Sequence, residues 1–190
     1  MGVILSSVCL FAVAGALIYL STLYNGLIAL RSDIDKAWAN IDVLLKQRYD
    51  EIPRVVEVCR GYMQHERETL QSVAQARAAY SQAVTVNQKA EASGPLTASV
   101  RQLFADAEGY PDLKANATFL QVQKFITDLE EQIADRREFY NDAVNTFNIR
   151  TQEMPDAFVA RFMRLKPRQM FQVKEAERAP ARVVWEEVMR

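Results

Sequence analysis

Histidine is almost missing from this chain and cysteine nearly so, with one His and two Cys among 190 residues. Zinc sites that draw four His or Cys ligands from one chain are thereby excluded, and a three-ligand site would need every one of these residues. A di-iron bundle, which needs Glu-x-x-His on two helices, lacks its second histidine. Six glycines and six prolines are too few for a turn-rich β fold or a low-complexity chain. The glycines also lie too far apart to form a phosphate-cradling loop. Charge of one sign is not in surplus: 23 Lys plus Arg meet 24 Asp plus Glu for a net charge of −1. An electrostatically driven nucleic-acid binder would carry a basic excess. What is left is a helix-compatible sequence with its charge unevenly spread, and an all-α fold is expected.

No charged side chain occurs between Gly2 and Leu30. Val3 to Leu23 supplies the roughly 20 helical residues that a bilayer core requires. Tyr19 and Tyr24 stand near one end, where a phenol keeps its ring among headgroups and its hydroxyl wet. The stretch reads as a single-pass transmembrane anchor, residues 1–23. Ala14-Gly15-Ala16 also fits a small-x-small cleavage site of an export signal. No Lys or Arg precedes the apolar run, however, and the run continues through Leu17, Ile18, Tyr19 and Leu20, so retention is expected. Arg31 and Lys36 follow the span closely, which leans the soluble part toward the cytoplasm.

Beyond Leu30 apolar residues recur three, four or seven apart: Ile34, Trp38, Ile41, Leu45, Ile52, Val55, Cys59 and Tyr62, with charge on the other faces. This is the amphipathic-helix pattern, and one long helix is predicted to run as far as Ala90. Pro53 removes a backbone donor, so a kink or short break is expected near Tyr49 to Ile52, and Gly61 is a second soft point. Ala92-Ser93-Gly94-Pro95 reads as the first turn, Thr97 to Ala107 as a short helix, and Gly109-Tyr110-Pro111-Asp112 as the second turn. Phe119, Ile126, Ile133, Tyr140 and Phe147 then form a heptad line, with Val122, Leu129, Arg136 and Ala143 beside it. Such spacing predicts a helix–helix seam. Pro155 opens a last helix, Asp156 to Arg164, carrying Phe158, Val159, Phe162 and Met163.

Pairing the two long helices antiparallel sets Ala90 opposite Lys114, so the second helix runs out near residue 50. Residues 24 to 48 then need another cover, for which Phe158, Phe162, Met163 and Phe171 are the available apolar material. A two-helix hairpin buries little surface, so a third layer from residues 97 to 107, or contacts between copies, is expected. The chain divides into the anchor, a helical bundle at 24–165 and an irregular tail at 166–190.

Chemistry is sparsely signalled. His65-Glu66 resembles the start of a zincin motif, but position 69 is Thr and no second histidine exists. No Gly-x-Ser-x-Gly elbow accompanies His65, and Cys59 reads as a small apolar packer on a core-like face. No catalytic, cofactor-binding or metal-binding residue is assigned. Arg136 occupies a seam position. Either its stem packs while its head snorkels to water, or it forms a register-fixing ion pair with Glu66 or Glu68.

Three sets of residues resemble the LemA family. The first set is Tyr24-Asn25-Gly26-Leu27, Ala37-Trp38-Ala39-Asn40-Ile41-Asp42-Val43 and Leu45-Lys46-Gln47-Arg48-Tyr49-Asp50 with Ile52-Pro53. The second is Gly61-Tyr62 with His65-Glu66. The third is Tyr110-Pro111-Asp112-Leu113-Lys114-Ala115-Asn116 with Phe119-Leu120, and Tyr140-Asn141 with Val144, Asn148 and Pro155. The likeness covers almost everything from Tyr24 to Phe171 and departs at Glu51, Arg54, Thr151 and Met154. It implies a bacterial protein anchored in the inner membrane, with a long antiparallel helical bundle and no agreed activity. Trp38, Asn40, Asp42, Arg48, Tyr110, Pro111, Asn116 and Asn141 become candidates for an interaction surface or for purely structural roles. The expected function is a non-catalytic scaffold or adaptor. Its partners would be the bilayer, an unidentified protein or further copies of the chain, with no nucleic acid and no cofactor. The alternative is a signalling or stress-response component that relays change through the first helix at Pro53. An enzyme ranks last.

Overall fold

The computed structural model describes residues 2–171, and the regular structure among them is entirely helical. The elements are α1 (Gly2–Arg60), α2 (Arg67–Ser81), α3 (Val86–Ala107), α4 (Pro111–Lys114), α5 (Ala117–Arg150) and α6 (Asp156–Phe162). The expected irregular tail is non-helical from Leu165 to Phe171, and its remainder lies outside the described residues. The chain forms two compact units. One joins Met1–Asp42 to Ala134–Met170; the other is built on Val43–Ile133 together with Phe171.

In the first unit Leu27, Ile34 and Ile41 of α1 are buried, as are Tyr140, Val144 and Phe147 of α5. The Trp38 ring meets Tyr140 edge-on at 5.9 Å, and the guanidinium of Arg150 lies against Gly26. Twelve residues back along α1 therefore correspond to ten forward along α5, an antiparallel pair. This corrects the expected register, because α5 itself covers the part of α1 predicted to need another partner. The C-terminal segment contributes only in part: Val159 and Ala160 pack on Leu27, joined by Leu23, Met163 and Leu165. Phe158 and Phe162, predicted to supply that cover, are exposed. Asn148 ties down the chain after α6, donating from Nδ2 to the Arg168 carbonyl and accepting the Arg168 N–H, both at 2.8 Å.

The second unit packs the last turns of α1, α2, α3 and the first half of α5 around one core. Leu45, Ile52, Val55 and Cys59 are buried in this unit, as are Val73, Leu96, Val100, Leu103, Phe119, Val122, Ile126 and Leu129. The predicted long helix does not reach Ala90. It continues unbroken through Pro53 and stops at Arg60, just before Gly61, where glycine costs about 1 kcal/mol of helix propensity. Burial of Met63 then draws the chain back toward the core. A second break falls before Thr85, which caps α3 with a reciprocal capping box: Thr85 Oγ1 accepts from Gln88 N–H, and Gln88 Oε1 accepts from Thr85 N–H.

The turn predicted at Ala92 to Pro95 is instead the middle of α3. Proline in a helix interior costs about 3 kcal/mol. Buried Ala90, Leu96, Val100 and Leu103 on both sides of Pro95 outweigh that local cost. The expected turn at Gly109 to Asp112 is present, and Pro111 occupies the first position of α4, where its missing donor is harmless. Residues 97 to 107 do supply a third layer, as shown by Phe104 against Phe119 with ring centroids at 6.1 Å.

Candidate functional site

Leu27, Ile34, Ile41, Arg48 and Val55 lie seven apart on α1, and all five are buried. Arg48 is the one charged member, and it is 0 % exposed. Its Nη1 donates to Glu130 Oε1 at 2.5 Å and to Thr97 Oγ1 at 2.6 Å; Nη2 reaches the Ser93 carbonyl at 3.4 Å. Thr97 Oγ1 donates in turn to Glu130 Oε1 at 3.1 Å. Nε is buried with no partner, so the desolvation cost is not fully recovered. The node joins α1, α3 and α5 through charge-assisted bonds that fix their register, and it offers no opening to a substrate.

The other candidate residues divide between structural positions and open surface. Asn116 caps α5, its Oδ1 accepting from Thr118 N–H at 2.9 Å and Phe119 N–H at 3.1 Å, while Nδ2 donates to the Tyr62 hydroxyl. Tyr110 donates its hydroxyl to Glu66 Oε1 at 3.2 Å; desolvation and that carboxylate push the phenol above its ordinary pKa. Tyr140 donates to the Gln169 carbonyl, and its phenol is raised chiefly by burial. Trp38, Asp42 and Asn141 are half-buried, and Asn40 and Pro111 are exposed. His65 is exposed in the turn after α1. Burial pushes the Cys59 thiol up to about 11, which leaves it protonated and unreactive at neutral pH.

Arg136 does not occupy the seam. It is exposed, with its guanidinium 6.0 Å from the Phe139 ring centroid. Phe119, Ile126, Ile133, Tyr140 and Phe147 are buried as predicted, whereas the companion line leaves the core after Leu129 and is resumed by Val144. An α-helix drifts about 20° per heptad against a seven-residue repeat, so the second buried line moves from three to four residues after the first. Glu66 is half-buried on Tyr110, and Glu68 is exposed in the first turn of α2.

Two hollows remain. In the second unit Glu51 and Arg54 of α1 face Gln121, Lys124, Phe125 and Asp128 of α5 across a groove of about 360 Å³. Both signs of charge ring Phe125, which is 43 % exposed. Sequence reading named Glu51 and Arg54 only as departures from a pattern, and it gave no notice of Phe125. In the first unit Leu17, Leu20 and Tyr24 of α1 and Phe158, Val159 and Phe162 of α6 line a cleft of about 510 Å³.

An apolar helix long enough to cross a bilayer, prolonged into charged helices packed along heptad lines, defines a membrane-associated, all-helical protein. Within that class the chain belongs to the LemA family, whose pattern matches residues 37–185. It is similar to Protein LemA of Metamycoplasma hominis, 28 % identical over 155 residues that cover 81 % of this chain and 71 % of that protein. Magnetosome proteins MamQ 1 and MamQ 2 of Paramagnetospirillum magneticum are each 32 % identical over 89 residues, 47 % of this chain. The match spans 33 % of the length of those two proteins.

Proposed function

We propose that the chain is a single-pass scaffold of a bacterial inner membrane, which works without catalysis by presenting its helical part to a protein partner or to another copy of itself. The observation that supports this most is the groove around Phe125. A half-exposed aromatic ringed by Glu51, Arg54, Lys124 and Asp128 has the makeup of an interface anchor with a polar rim. Charges of both signs suit a partner of complementary pattern rather than a polyanion. A photo-crosslinking amino acid replacing Phe125 in native membranes should give one discrete adduct, lost when Arg54 and Lys124 are both changed to Glu. Adducts no stronger than those from exposed Gln132 would contradict the proposal. Arg31 and Lys36 beside the span support a cytoplasmic placement, checked by protease access in intact spheroplasts: digestion of the soluble part from outside would reverse it.

A second reading is favoured by the unbroken course of α1, which carries the apolar stretch, Pro53 and Arg48 on one helix. In this reading α1 relays change from the membrane. An adduct yield at position 125 that is unaffected by Pro53→Ala would count against it.

A further inference from the structure

α6 leaves two phenylalanines largely uncovered at the mouth of the cleft it forms with α1. Phe158 is 69 % exposed and Phe162 is 87 % exposed, four residues apart and so on one helical face. The neighbouring Val159 and Ala160 are buried against Leu27. A phenylalanine left in water forgoes the gain of burying its ring, and Met154, just before the helix, is also exposed. Across from these rings, the cleft is walled by Leu17, Leu20 and Tyr24. Those residues occupy the final turns of the apolar stretch and therefore lie at the edge of the hydrocarbon when that stretch spans a bilayer.

α6 is held in this place. Arg150 Nε donates to the buried Asp156 Oδ2 at 2.6 Å, and the same guanidinium lies on Gly26 of α1. From Ala157 to Phe171 the chain has no acidic residue, and Arg161, Arg164 and Lys166 are exposed. Aromatic side chains beside exposed cations are the makeup of a segment lying in a bilayer interface, rings among acyl chains and cations at phosphates.

We propose that the cleft between α1 and α6 is a binding site for an anionic phospholipid. One acyl chain fills the space between Leu17, Leu20, Phe158 and Phe162, and the headgroup phosphate is met by Arg161, Arg164 and Lys166. This inference rests on the apolar stretch spanning the bilayer, and the test separates the two. The full-length chain is reconstituted in vesicles of phosphatidylglycerol or of phosphatidylcholine, each with a lipid bearing a spin-label quencher near the headgroup. A polarity-sensitive dye is placed on native Cys9, or, in a Cys9→Ser background that leaves the buried Cys59 untouched, on Phe162→Cys or Asn40→Cys.

Dye at residue 9 reports whether the span is inserted, independently of the cleft. Dye at 162 should emit blue-shifted and be quenched at least threefold more than dye at 40, with stronger quenching in phosphatidylglycerol than in phosphatidylcholine. Arg161→Gln with Arg164→Gln should abolish that lipid preference while leaving helicity unchanged. Water-like emission at 162 with lipid-like emission at 9 overturns the lipid site but spares the anchor. Water-like emission at both overturns the two together. Equal quenching in the two lipids overturns the headgroup assignment. Quenching at 162 by a second labelled copy in place of lipid gives the patch to self-association and overturns the proposal.

Discussion

Arg48 and Arg136 both sit on seven-residue apolar lines, and only one of them is in a core. The line through Leu27, Ile34, Ile41, Arg48 and Val55 was present in the sequence, and its single charged member is the buried one. Repeat position points to Arg136, which is exposed, while the buried Arg48 enters the reading only through the family resemblance; spacing alone does not separate a helix face that stays inward from one that drifts outward. The energetic consequences follow from exposure. Arg48 is fully buried while the Glu130 side chain is 19 % exposed, so an orphaned Glu130 reaches water and an orphaned Arg48 does not. Glu130→Leu should cost about 3 kcal/mol or more, since it strands a buried charge, whereas Arg48→Met should cost clearly less. The double variant Arg48→Met with Glu130→Leu should recover most of the loss, read as thermal melting of the detergent-solubilised chain. Equal losses from the two single variants would show that burial does not set the balance.

The Cys59 thiol provides a second test at this scale. Its pKa rises from 9.0 to about 11 through burial, so the uncharged form is favoured in the folded state. The stability this implies is complete below pH 9 and is lost as pH rises through 11, because the unfolded chain releases the proton first. At about 1.4 kcal/mol per unit, up to roughly 3 kcal/mol is at stake. The difference in melting temperature between the natural chain and Cys59→Ala should narrow steadily between pH 9 and 11, and a constant difference would contradict the burial argument.

Helices were easier to recognise in the sequence than their ends. The heptad line of α5, the turn at Gly109 to Pro111 and the interruption by Pro155 were legible because period and punctuation agreed. The ends of α1 and α3 were not, because tertiary burial decided them: Pro95 stays helical under the packing of Leu96 and Val100, and Met63 folds inward beyond Gly61. Thr85-Val86-Asn87-Gln88 has the Thr-x-x-Gln form of a capping box and marks the true start of α3. Thr85→Ala should therefore cost about 1 kcal/mol, lowering the melting temperature by about 2–4 °C, while Thr97→Ser, which keeps its hydroxyl, should change little. A Thr85→Ala chain that melts unchanged would show that α3 is held by tertiary contacts alone.

For the whole molecule, composition and the uncharged opening were enough to anticipate an all-helical chain with an apolar stretch able to cross a membrane. The antiparallel register was not, since it depended on where α1 stops, and moving that end from Ala90 to Arg60 shifts every partner along α5. The groove at Phe125 and the cleft at Phe158 were equally hidden, because a surface made by two segments distant in sequence leaves no periodic trace. The scaffold and the lipid site share one requirement, that the first helical stretch remains in lipid. Alkaline carbonate extraction of membranes carrying the intact chain tests it most directly. Recovery in the membrane pellet together with integral proteins is the predicted result, and release into the supernatant with peripheral ones would contradict it.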